Sequence, residues 1–92
     1  MNSQLPSRCL LSVETEADAT VASRILHLLT VRGEIPEWFS VRKTGAGASR
    51  IAVELADVDE ATADSVKQKL LKLPTVVNIS MAWLRLRDPV LP

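Results

Sequence analysis

The run Phe39-Ser40-Val41-Arg42-Lys43, Thr44-Gly45-Ala46-Gly47-Ala48, Arg50-Ile51-Ala52-Val53-Glu54-Leu55-Ala56 decides the fold. Apolar and polar residues alternate on both sides of a short segment with two glycines, the pattern of a β-hairpin. The alternation predicts a strand from Ile35 to Lys43, with Phe39 and Val41 on one face and Trp38, Ser40 and Arg42 on the other. It predicts a second strand from Arg50 to Ala56, with Ile51, Val53 and Leu55 pointing inward. Pro36 has no N–H for a ladder, so the first of these strands is expected at a sheet edge.

Each side of the hairpin carries one helix and one strand. Upstream, Cys9, Leu11 and Val13 alternate with Leu10, Ser12 and Glu14, which predicts a strand from Arg8 to Glu14. A helix follows to about Arg32. Its apolar stripe is Ala22, Ile25, Leu26 and Leu29, widened by Val21 and Leu28, with Ser23, Arg24, His27 and Thr30 opposite. Asp18 or Thr15 is the expected N-cap, and Gly33 supplies the left-handed C-terminal residue. Downstream, Asp57 with Glu60 three residues later marks a second helix start. Ala63, Val66, Leu70 and Leu73 form its stripe, Lys67, Lys69 and Lys72 suit its negative end, and Pro74 stops it. A last strand runs from Thr75 to Trp83, with Val77, Ile79, Met81 and Trp83 on one face. The order β-α-β-β-α-β predicts an α+β, ferredoxin-like βαββαβ sandwich, one antiparallel sheet in the order 4-1-3-2 with both helices on one face. Residues 1–7 are expected to form a flexible N-terminus, 8–83 the domain and 84–92 a C-terminal tail.

Composition narrows the chemistry. The chain has 92 residues, 47% of them apolar, so one small domain is expected, with a core that gains from a partner. Eleven basic and eleven acidic residues leave net charge at zero, which removes long-range attraction for nucleic acid or anionic membrane. Cys9 and His27 are single, so neither a disulfide, a cysteine-based zinc site nor a Cys–His catalytic pair is expected, and metal and cofactor are both read as none. No run of 18 or more apolar residues is present, and a cytoplasmic protein is the expectation.

Several functions of this fold fail on the residues. An RNA-recognition module needs aromatics on the open face of the first and third strands, where this chain has Leu10, Ser12, Arg50, Ala52 and Glu54. A copper chaperone needs a Cys-x-x-Cys after the first strand. A phosphate cradle there would meet the acidic run Glu14-Thr15-Glu16-Ala17-Asp18.

The stretch Ala22-Ser23-Arg24-Ile25-Leu26-His27-Leu28-Leu29-Thr30-Val31-Arg32-Gly33 resembles the first helix of ACT domains, closest to those of the short-type small, regulatory subunits of acetolactate (acetohydroxyacid) synthase. In that family the helix carries an Arg followed by aliphatics and closes on Arg-Gly, the places of Arg24 and Arg32-Gly33 here. The strand from Ile35 to Val41 and the run Lys69-Leu70-Leu71-Lys72-Leu73 before Val76, Val77 and Ile79 are similar as well. The resemblance spans about Arg8 to Trp83. It implies a non-catalytic regulator of amino-acid biosynthesis, here of the branched-chain amino acids. Such a protein forms a homodimer whose sheets join through the second strand, and it modulates a catalytic, thiamine-diphosphate-dependent large subunit. It also implies an amino-acid effector between protomers at the loop after the first strand, Glu16, Ala17, Asp18, Ala19 and Thr20. The helix N-terminus there would receive the effector carboxylate and Glu16 or Asp18 its ammonium group. Where amino-acid-sensing members carry Gly and Asn, this chain has Thr20 and Ala17. Ile35, Trp38 and Ser40 are the expected dimer or partner interface, Trp38 as its anchor. A stand-alone amino-acid-sensing homodimer is the alternative, and a small enzyme of the same fold is disfavoured by the scarcity of bases.

Overall fold

The computed structural model describes residues 7–45 and 47–85. The element order is β1 (Ser7–Glu16), α1 (Val21–Val31), β2 (Trp38–Gly45), β3 (Ala48–Ala56), α2 (Glu60–Leu71) and β4 (Val76–Arg85). The strands form one sheet in the order β2-β3-β1-β4, antiparallel throughout. This is the expected ferredoxin-like arrangement.

Strand alternation sets the two faces. In β1 and β3, Cys9, Leu11, Val13, Ile51, Val53 and Leu55 are buried against the helices. Val21, Ile25 and Leu29 of α1 and Ala63, Val66 and Leu70 of α2 close the same core. Each helix therefore buries one stripe at i, i+4 or i, i+3, i+7, as its apolar spacing requires. α2 packs on β4 and touches α1. Gly33 ends α1 at φ +80° and Gly47 turns the hairpin at φ +75°, both in the left-handed region that suits glycine.

Four local expectations are corrected. First, β2 begins at Trp38 rather than Ile35. Pro36 cannot donate to the ladder, and the chain joins β3 only at Glu37, whose N–H donates to Glu54 O at 2.7 Å. Second, Val77 does not face the core. The β1–β4 register pairs Glu14 with Asn78 but Thr15 with Val76, a bulge that places Val77 between them. The extra residue flips the parity: Val76 packs on the core and Val77 is 65% exposed. Third, the N-cap of α2 is Asp59, not Asp57. The Asp59 carboxylate accepts from Thr62 N–H at 2.7 Å, while Asp57 sits in the preceding loop at φ +56°. Fourth, neither Asp18 nor Thr15 caps α1. Thr15 is buried within β1, and Thr20 takes the N-cap position with no side-chain cap bond. β4 also continues through Leu84 and Arg85, residues expected in the tail. Residues 1–6 and 86–92 lie outside the described residues, and so does any packing of Trp38 on that tail.

The sheet face away from the helices carries Arg8, Leu10, Ser12, Glu14, Trp38, Ser40, Arg50, Ala52 and Glu54, the set opposite the buried row. Register aligns Trp38, Glu54, Leu10 and Ala82 across it. Arg8 pairs with Glu54 there, and Arg50 pairs with Glu14 at 3.3 Å.

Candidate functional site

The loop from β1 to α1 is tied down at three points. Glu16 N–H donates to Thr75 O at 2.9 Å, and Ala17 N–H donates to Gly47 O at 3.0 Å. Asp18 makes the third tie. Its Oδ1 accepts from Thr20 N–H at 2.9 Å and from Thr20 Oγ1 at 2.8 Å, and its Oδ2 accepts from Thr75 Oγ1 at 3.0 Å. The two Thr20 bonds, then the Thr75 hydroxyl and the Arg24 charge, hold the Asp18 carboxyl below the usual carboxylate range. Asp18 is thus an ionised clamp that joins the entry of α1 to the residue before β4.

The other four predicted effector residues, Glu16, Ala17, Ala19 and Thr20, are exposed along the same loop. Thr20 has φ −98° and ψ −12°, a backbone open to any L-residue, so its conformation does not call for glycine. Val21 N–H reaches Asp18 O at 3.3 Å and Arg24 N–H reaches Thr20 O at 3.1 Å. Between them, the N–H groups of Ala22 and Ser23 meet no acceptor among the described residues. That end of the helix therefore has donors to offer a carboxylate.

The predicted interface residues lie at the free edge of the sheet. β2 is a terminal strand, paired only with β3. Trp38 opens it on the face away from the helices and is 58% exposed. Ser40 is half-buried two residues on, opposite Ala52. Ile35 is 79% exposed but precedes the strand, so it flanks the edge rather than pairing along it. Val41 pairs with the buried Ile51 on the helical side and is still 54% exposed.

A further feature needs both helices. α1 and α2 border an open groove of about 780 Å³. Leu28, Val31 and Leu73 give it an apolar lining, and Arg24, Arg32 and Lys69 give it cations. Sequence reading placed Arg24 opposite the apolar stripe of α1, Arg32 at its end, and Lys69 in a group suited to the negative end of α2. The signal for the groove was present in Val31, an apolar residue off the buried stripe.

Cys9 and His27, the two side chains that sequence reading weighed for catalysis, lie apart in the fold. Cys9 is fully buried in β1, and burial pushes its thiol pKa up, away from the reactive thiolate. His27 stands exposed on α1. Among the described residues no group of three or more His, Cys, Asp or Glu side chains is placed to hold a metal ion, and no helix is long and apolar enough to cross a membrane.

No protein-family model matches the chain, and no curated protein matches it in sequence. Solved structures match its form. The ACT domain from GTP pyrophosphokinase of Chlorobium tepidum superimposes with a TM-score of 0.71 at 9% identity, covering 84% of this chain and 86% of that one. The C-terminal domain of the MgtC protein from Mycobacterium tuberculosis gives 0.66 at 12% identity, covering 92% and 93%. An uncharacterised protein from Thermotoga maritima gives 0.63 at 14% identity, covering 89% and 99%. At such identities the likeness is one of architecture, and the chain has the ACT-like form of the ferredoxin-like fold.

Proposed function

We propose that this chain is a non-catalytic regulatory module that dimerises through β2 and modulates an enzyme of amino-acid metabolism. The observation that carries the reading is the bare apolar edge of an ACT-like sheet: Ile35, Trp38 and Val41 are each more than half exposed at or next to β2, the terminal strand. Pairing two such edges would continue the sheet across the dimer and cover these side chains. The Ser23–Gly33 resemblance directs the choice of partner to the catalytic, thiamine-diphosphate-dependent large subunit of acetolactate synthase, in branched-chain amino-acid biosynthesis. The test is to purify the chain, measure its mass in solution, and titrate it into that large subunit while following acetolactate formation. A dimer that changes the rate supports the reading. A monomer, or a dimer with neither complex nor rate change, refutes it.

A stand-alone amino-acid-sensing homodimer is the second reading. It is favoured by the unpaired Ala22 and Ser23 N–H groups next to the loop Glu16–Thr20. Calorimetric titration of the folded dimer with the common amino acids separates the two. Heat with one amino acid, lost on Thr20→Trp, supports sensing, and silence across the panel refutes it.

A further inference from the structure

We propose that the groove between α1 and α2 docks an acidic, amphipathic helix of a partner protein. The inference goes beyond the reading above, because it names a surface and an occupant that neither the β2 edge nor the loop supplies. It stands even if no amino acid binds and no sheet pairing occurs.

Charge sets the sign of the occupant. The chain is neutral as a whole, but no carboxylate lines the groove. The ion pairs of the described residues involve Arg8 and Arg50, both on the opposite face of the sheet. Arg24, Arg32 and Lys69 have no carboxylate within 4.0 Å among the described residues. Arg32 is also held in place, its Nη2 donating to Ser65 Oγ at 2.7 Å from one helix to the other. A guanidinium so positioned is ordered before a partner carboxylate arrives.

Shape and polarity set its class. Val31 is 71% exposed, and with the half-buried Leu28 and Leu73 it gives the groove an apolar strip alongside its cations. The groove is open to solvent. A small ligand there would stay wet, whereas small-molecule sites bury most of their ligand. The α1 side of the groove runs from Ser23 to Arg32, about 13 Å at helical rise, room for two to three turns of a second helix. Apolar anchors at i, i+3 or i+4 and i+7 on that helix would meet the strip, and flanking Asp or Glu would meet Arg24, Arg32 and Lys69.

The probe is a fluorescent synthetic helix of about 14 residues, Leu at i, i+3, i+4 and i+7, Glu on both flanks and Ala elsewhere. Its anisotropy is titrated with the full chain. We expect saturable binding that weakens at least about tenfold with Arg24→Glu/Lys69→Glu, and falls as salt rises from about 50 to about 500 mM. Val31→Ser, which removes the apolar anchor and leaves the charge of the groove unchanged, should weaken it as well. Circular dichroism checks that these surface variants stay folded. The proposal is overturned by absence of binding, by equal binding of a probe with Lys in place of Glu, or by indifference to both variants. Preference for phosphatidylglycerol vesicles over the peptide overturns it too. So does self-association of the chain that the charge reversals abolish, since the occupant would then be a second copy.

Discussion

The Thr75 hydroxyl donates to Asp18 Oδ2 at 3.0 Å, joining residues 57 positions apart. The same carboxylate holds Thr20 through two bonds to Oδ1. One side chain therefore fixes where α1 starts relative to where β4 starts, and it does so at the loop proposed to receive an effector.

Asp18→Ala removes all three acceptor bonds and leaves Thr20 and Thr75 to water. For a domain of this size, losing a cap-like carboxylate lowers the thermal midpoint by roughly 4–8 °C. Thr75→Val, which removes one bond of the three, should lower it less. Melting followed by circular dichroism ranks the two variants, and equal midpoints for wild type and Asp18→Ala would contradict the clamp.

Acid should erase the stability that such carboxylates contribute. The Asp18 and Asp59 carboxyls both lie below the usual range, Asp18 chiefly through Thr20 and Asp59 through Thr62. A depressed folded-state pKa contributes stability above the unfolded value, which is lost as pH falls through the folded value. Urea midpoints of wild type and Asp59→Ala should differ at neutral pH and converge from about pH 5 downward. A gap that widened in acid would have the wrong sign.

The bulge in β4 makes adjacent valines unequal. Val76 packs on the core and Val77 is exposed, so Val76→Ala should cost about 1–2 kcal/mol and Val77→Ala less than about 0.5 kcal/mol. Equilibrium urea unfolding of the two variants measures this directly. The reverse ranking would restore the simple alternation.

The edge of β2 should set the oligomeric state. Val41→Lys places a charge on the terminal strand β2, at a position already 54% exposed. Sedimentation velocity should show the dimer giving way to a monomer with little change in circular dichroism. A dimer that survives the substitution would place the contact elsewhere.

Much of the architecture is legible in short stretches because the patterns that encode it are local. Cys9, Leu11 and Val13, or Ile51, Val53 and Leu55, reveal a buried face through a period of two, and Ile25 with Leu29 through helical spacing. Gly33 ends its helix through its own backbone freedom. The misread points have non-local causes. Nothing near Val77 announces the bulge, because the shift lies in its register with Glu14 and Thr15. Nothing near Asp18 announces Thr75. Ile35 differs, since the start of β2 at Trp38 rests on a local cause, the missing N–H of Pro36, which sequence reading took only as the mark of an edge strand.

The same division holds for the sites. The residues in order established the βαββαβ plan and the sheet order, since strand alternation, helix stripes and crossover handedness leave few other arrangements. The folded chain alone showed that Asp18 is spent on a clamp, that Val41 lies bare on the sheet edge, and that Arg24 and Lys69 share one groove. Each depends on elements far apart in the chain being packed together. Proximity of that kind comes from burying one common core, and it leaves no mark on neighbouring residues.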